Sequence, residues 1–311
     1  MQSLPLPKDP IFTNLLATID QSQIVPNEAA VRALQFVRDG IITGEGPTTE
    51  GRVHFSRSID ETDAAWCERI LIAAGGRASA PVSRAEAEAL FQINEAAADR
   101  ATRVVVLAAA GKAFCAGHDL REMRAEPALA YYQALFAQCS QLMTTLQALP
   151  QPVIARVQGV ATAAGCQLVA MCDLAVAADQ ARFAVSGVNL GLFCATPAVA
   201  LTRNVSRKAA FEMLVTGEFI DAQQARERGL VNRVVPAERL DAEVRSLVDS
   251  ILAKPAVAVD AGKGLFYRQL EMGIDAAYQL AGQTMACNMM APDTLEGVQA
   301  FIEKRPPAWK S

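Results

Sequence analysis

Two loops of the chain combine small residues with the start of a helix. The first reads AFCAGHDLREM, Ala113 to Met123, and the second TAAGCQLVAMCD, Thr162 to Asp173. The first N–H groups of a helix have no partner inside it. They suit a phosphate, a carboxylate, or a carbonyl oxygen that gains charge during a reaction. Small side chains let such an oxygen come close to the backbone. In the first loop His118 can act as acid or base near neutral pH, and Asp119 is placed to form the turn. In the second, Gln167 stands one turn into the helix, where a group that moves a proton would be useful. Glutamine can only orient a water or an acyl oxygen by hydrogen bonding. Further along, Cys194 in LFCATP could line a pocket, but a nucleophilic role needs an adjacent base that the sequence does not reveal. The chain has two histidines, His54 and His118, and seven cysteines with no CxxC pair. That is a poor donor set for zinc, and no metal is expected.

These loops need strands and helices to hold them. TRVVVLAA, Thr102 to Ala109, is a continuous apolar run of strand length, the pattern of a strand buried on both faces of a parallel sheet. ALAYYQALFAQCSQLMTTLQALP has apolar residues at helical spacing, and Pro152 then introduces the strand VIARVQG. AAGCQLVAM reads as a helix, DLAVAAD as a strand, and the loop that follows enters a helix at Pro197. Earlier, RVHFSRS and ERILIAAG read as strands, and SRAEAEALFQINEAAAD as a helix capped by Ser83. Later, SRKAAFEMLVTG, DAQQARERG and ERLDAEVRSLVDSILAK read as helices, with the strand LVNRVV among them. Beyond Pro255 the pattern is helical. The fold class is α/β: residues 1–50 form an appended, partly helical extension with Pro-rich patches, residues 51–255 a βα-alternating core, and residues 256–311 a helical C-terminal region.

Composition bounds the partners. With 311 residues, 51% of them apolar, and a net charge of −4, the chain can bury a large core and carries no basic stripe for nucleic acid. No apolar run reaches the roughly 18 residues a membrane span needs. The N-terminus MQSLPLPKDPIFTNLLATID lacks a signal-peptide pattern, and its acids argue against an Arg-rich transit peptide. A cytoplasmic protein is expected, with no membrane partner.

The two loops, in this order, resemble those of the crotonase (enoyl-CoA hydratase/isomerase) superfamily. The likeness rests on FCAGHDL, GVATAAGCQLVAMCDLAVAA, FAVSGVNLG, TGEFIDAQQARERGLVNRVVP and EGVQAFIEKRPPAW, and runs from about Ile70 to the C-terminus. It implies a spiral of ββα units with a helical C-terminal part that helps form a homotrimer or a dimer of trimers. It also implies an acyl-CoA thioester as substrate, with no separate cofactor. Carried over residue by residue, the thioester carbonyl would lie between the backbone N–H groups of Ala116 and Ala164. The acyl end would meet Gly117, His118, Asp119 and Leu120 of the first loop, and Gly165, Gln167, Gly187 and Val188 beyond it. The CoA nucleotide would lie near Arg77, Ala78 and Ala80, with Lys304 and Arg305 as phosphate partners.

The departures bear on the reaction. Hydratases of the family carry a glutamate at the position of Gln167 and a second at that of Gly187. A general acid or base is typically worth ~10²- to 10⁴-fold in rate, so efficient hydration of an enoyl-CoA is not expected. Two readings remain: an enzyme that stabilises a thioester enolate, and a non-catalytic acyl-CoA binding or scaffolding protein. A serine-type protease on the related spiral is excluded, because no Ser/His pair falls on the matching loops.

Overall fold

A computed structural model of the chain describes the backbone of residues 53–57 and 66–72, Ile93, and residues 101–309 except 126. The expected extension over residues 1–50 lies outside the described residues, as does all but Ile93 of the helix expected over residues 83–99. So do Arg77, Ala78 and Ala80.

Each apolar run of the core becomes a strand of one large sheet, and each small-residue stretch after it becomes a short strand of a second. β1 (Val53–Arg57) pairs antiparallel with β2 (Trp66–Ile72), and β2 pairs parallel with β3 (Thr102–Ala108). β4 (Ala113–Cys115) follows in the second sheet, then α1 (Leu120–Ala125) and α2 (Leu129–Ala148). The next unit repeats the plan with β5 (Val153–Val157), β6 (Val160–Thr162) and α3 (Ala164–Met171). The one after it has β7 (Leu174–Ala178), β8 (Arg182–Ala184) and α4 (Ala195–Asn204). After α5 (Arg207–Thr216), β9 (Ile220–Asp221), α6 (Ala222–Glu227) and β10 (Arg233–Val235), the large sheet has the order β1-β2-β3-β5-β7-β10. The small one has the order β4-β6-β8-β9. These are the ββα units that the resemblance implied. The chain enters α4 at Ala195, two residues before Pro197, and a 3₁₀ turn over Ser186–Leu190 precedes it.

Along β3 the two faces of the pleat explain the unbroken apolar run. Val104 and Val106 pack with Leu240, Val244 and Val248 of α7 (Leu240–Leu252), whereas Val105 and Leu107 join the main core with Phe114 and Leu146. A strand covered on both sides has no polar face to alternate with. All eight residues of α3 are buried. Its second residue, Gly165, lies so close to β4 that a Cβ there would fall onto the Cys115 carbonyl. Absence of a side chain at 165 is therefore what lets the helix start lie against the first loop.

The C-terminal region comprises α8 (Ala256–Leu270), α9 (Ile274–Met289) and α10 (Pro292–Glu303), and a buried polar cluster joins α8 to the core. Lys263 donates to Asp173 Oδ2 at 2.6 Å and to the carbonyls of Leu146 and Gln151 at 2.9 Å each. Asp173 accepts in addition from Tyr267 Oη at 2.7 Å and from the Val153 N–H at 2.6 Å. The three protons of the ammonium thus have three acceptors. Burial pushes Lys263 below its ordinary range, against the opposing pull of Asp173, and burial beside Asp173 pushes Tyr267 up. Asp173 follows the C-cap residue Cys172 of α3, so this cluster fixes the far end of the helix whose start belongs to the site.

Candidate functional site

The turn that opens α3 is strained. Ala163 has φ 51° and ψ −120°, a region that residues with a side chain seldom enter. It is held there from both sides, its N–H donating to the Ala184 carbonyl at 3.0 Å and its carbonyl accepting from the Gln167 N–H at 3.1 Å. Ala163→Gly is expected to remove strain worth about 1–3 kcal/mol against an entropic cost of about 0.5–1 kcal/mol. The urea unfolding midpoint of the variant should therefore rise; a fall would mean that the Ala163 methyl contributes more by packing than the turn costs.

The held turn aims the Ala164 N–H, first in the helix, away from the helix body. Opposite it stands Gly117, with φ 91°. A Cβ on Gly117 would lie 3.4 Å from Ala164 N and 3.1 Å from the Ala163 Cβ. The two small-residue loops therefore meet, Gly117 on one side and the Ala163–Ala164 turn on the other. A cavity of about 470 Å³ opens over the meeting point, lined by Ala116, His118, Asp119 and Leu120 from the first loop and by Ala163 and Ala164 from the second.

Among the described residues the rest of the cavity wall is mostly apolar, with Arg121, Ser186 and Thr196 as its polar members. Phe136 reaches in from α2, Met123 from α1, Leu190, Leu192 and Phe193 from the segment that leads into α4, and Pro197 from α4 itself. Phe136 holds the His118 ring edge-on, with ring centres 5.7 Å apart and planes at 79°. The sequence marks α2 as a helix but gives no sign of which residue it turns toward the site. Cys194 also lines the cavity, as expected, and burial pushes its thiol up. Asp119 is engaged in its own turn, its Oδ1 accepting the Arg121 N–H at 2.7 Å. That turn starts α1.

Other residues singled out from sequence lie elsewhere. Gln167 is buried behind the cavity wall, 4% exposed, and its Oε1 has no hydrogen-bond partner among the described residues. Gly165 and Val188 do not line the cavity either. Lys304 takes a left-handed conformation at the exposed end of α10. Arg305 is held by Glu296 at 2.6 and 3.0 Å and by Glu303 at 2.6 Å, so it is already paired with carboxylates.

Gly187 is closed to any side chain. A Cβ there would lie 2.5 Å from the Leu192 carbonyl oxygen and 2.7 Å from the Cys194 Sγ. The segment 187–194 folds back on itself, with the Leu192 N–H bonded to the Gly187 carbonyl at 3.0 Å. The Cys194 thiol thus occupies the space that a side chain at 187 would need.

Comparison with known proteins gives three kinds of match. Residues 84–311 match the family model described as "Enoyl-CoA hydratase/isomerase". The rat protein named "Enoyl-CoA hydratase domain-containing protein 3, mitochondrial" is 41% identical over 275 residues, covering 88% of this chain and 90% of its own. Among solved structures, an enoyl-CoA hydratase of Mycobacterium smegmatis is 56% identical with a TM-score of 0.76, over 83% of this chain and 99% of that one. Human enoyl Coenzyme A hydratase domain-containing protein 3 is 39% identical with a TM-score of 0.74, over 82% and 99%.

These relatives correct the expected location. The similar proteins from frog, rat, mouse and human are all named as mitochondrial, which overturns the cytoplasmic placement taken from the N-terminus.

Proposed function

Because the chain belongs to the enoyl-CoA hydratase/isomerase family, we propose that it binds an acyl-CoA thioester in the cavity between its two small-residue loops and stabilises the thioester enolate there. The thioester oxygen lies against the Ala164 N–H and an N–H of the Ala116–His118 turn. The observation that carries this reading is the approach of Gly117 to Ala164 N, where a Cβ on Gly117 would lie 3.4 Å from that nitrogen. Charge that builds on the carbonyl oxygen during chemistry at carbon 2 or 3 meets fixed donors, each typically worth ~3–4 kcal/mol. The apolar wall of Phe136, Leu192 and Phe193 suits a hydrocarbon acyl chain and keeps water from the enolate.

Hydration is not the main reaction in this reading. Gln167 cannot move a proton, and Gly187 has room for nothing larger. Crotonyl-CoA is expected to be hydrated at least ~100-fold more slowly than by a family member with both glutamates, as followed by loss of enoyl absorbance. A comparable rate would overturn the assignment. A panel of saturated, unsaturated and branched acyl-CoA thioesters, scored for both binding and turnover, tests the wider proposal. Failure of every thioester to bind would defeat it, and binding throughout without turnover would favour the acyl-CoA binding protein over the enzyme.

The exposed apolar side chains of the C-terminal helices support an oligomer. Phe266, Leu270, Tyr278, Met285 and Phe301 all stand in solvent on one chain, more apolar surface than a monomer usually leaves open. In a trimer or a dimer of trimers these faces would be covered, which sedimentation velocity can read directly.

A further inference from the structure

Among the described residues one imidazole lines the cavity, and its place raises the question of what moves the proton once both family carboxylates are gone. We infer that His118 is the acid–base residue that takes a proton from carbon 2 of the bound thioester and returns it. This rests on the reading above, that the thioester oxygen lies against the Ala164 N–H.

Three observations carry the inference. His118 follows Gly117, the residue whose Cα faces Ala164 N, so its side chain starts one residue from the oxyanion site and lines the same cavity. Carbon 2 of a thioester is one bond from the carbonyl carbon, so a base for that carbon must stand beside the oxyanion donors. The ring is also fixed, edge-on against Phe136 of α2 at 5.7 Å, and a positioned base needs such support. Finally, among the described residues the other titratable or charged side chains on the cavity are poorly suited. Asp119 accepts the Arg121 N–H and shapes the turn. Arg121 does not give up its proton in proteins. Cys194 is a buried thiol held in its neutral form. Imidazole exchanges its proton near neutral pH.

The step balances without a co-reactant. The C2–H proton passes to the imidazole, the C–H electron pair becomes the C1=C2 bond of the enolate, and the carbonyl pair moves onto the oxygen. Return of a proton from imidazolium to carbon 2 regenerates the thioester. In heavy water, each cycle after exchange of the imidazolium proton places deuterium on carbon 2. With a 3-enoyl thioester, return at carbon 4 in place of carbon 2 would shift the double bond.

Butyryl-CoA in heavy water, incubated with the full-length protein and analysed by mass spectrometry and proton NMR, tests this. The wild-type protein is expected to exchange the C2 hydrogens at least ~100-fold faster than the same solution without protein. His118→Ala should cut exchange at least ~100-fold, leave butyryl-CoA binding intact, and recover part of the rate when free imidazole is added. His118→Gln, which keeps a similar shape, should exchange no faster than His118→Ala. Exchange that survives in both variants overturns the proposal. So does a wild-type protein that binds butyryl-CoA without exchanging it, although the binding site would then still stand. Absence of binding by the wild-type protein would instead defeat the thioester reading itself.

Discussion

Replacing Lys263 with methionine is expected to lower the stability of the folded chain by about 3–5 kcal/mol, the usual cost of removing one partner of a buried ion pair. The effect has a specific origin. Methionine fills the volume of the lysine stem, so little is lost in packing. What is lost is the ammonium that serves Asp173 Oδ2 and the Leu146 and Gln151 carbonyls together. Asp173 keeps Tyr267 and the Val153 N–H, but a buried carboxylate with two donors and no cation is left uncompensated. Two carbonyls lose their donor as well. Urea unfolding followed by circular dichroism reads the change. Lys263→Met combined with Asp173→Asn should recover part of it, because the double variant removes the unpaired charge. A loss below about 1 kcal/mol would mean the pair behaves like a solvated surface bridge and does not bind the C-terminal helices to the core.

This cluster shows the kind of feature a sequence hides. Asp173 closes the stretch QLVAMCD and Lys263 lies ninety positions away in a helix of ordinary pattern. Nothing local marks them as partners, because the contact is made by the return of the chain after β10. By contrast, β3 and α3 were legible. Six apolar residues in a row within TRVVVLAA leave no alternative to a strand buried on both faces, and small residues ahead of a mostly apolar stretch mark a helix start pressed against a neighbour. The strands of the second sheet were not separable from loops. β4, β6 and β8 have three residues each, too few to show a period of two. The site was half legible. The two loops and their small residues stood out, but their meeting at Gly117 and Ala164 is a tertiary fact. So are the closure of Gly187 by Leu192 and Cys194 and the reach of Phe136 from α2. Gln167 looked like a residue of the active site from its spacing, yet a helix buried on every side turned it away from the cavity wall.

Ala164→Pro carries the largest expected effect on activity. Proline is well tolerated at the first position of a helix, where its missing N–H has no intrahelical role, and Ala164 occupies that position in α3. The substitution thus removes the proposed oxyanion donor while leaving the helix its own bonds. Any turnover found in the thioester panel is expected to fall ~10²- to 10³-fold, the usual loss for one such donor. Proline restricts the residue before it, so Ala163→Gly in the same chain gives a second variant in which that residue can adjust. Unfolding midpoints of both variants separate a lost donor from a lost fold. Turnover that persists in a folded variant would show that the Ala164 N–H does not face the reacting oxygen.

The central claim is that a thioester carbonyl rests against the Ala164 N–H and the first loop. Hydrogen bonds from fixed donors draw electron density toward the oxygen and weaken the carbonyl bond, which lowers its stretching frequency. Isotope-edited infrared difference spectroscopy of butyryl-CoA labelled with carbon-13 at the thioester carbonyl reads that bond alone. The account predicts a band shifted to lower frequency on binding, and a shift that shrinks in the Ala163→Gly, Ala164→Pro variant. A bound thioester whose carbonyl band stays where it is in water would contradict it.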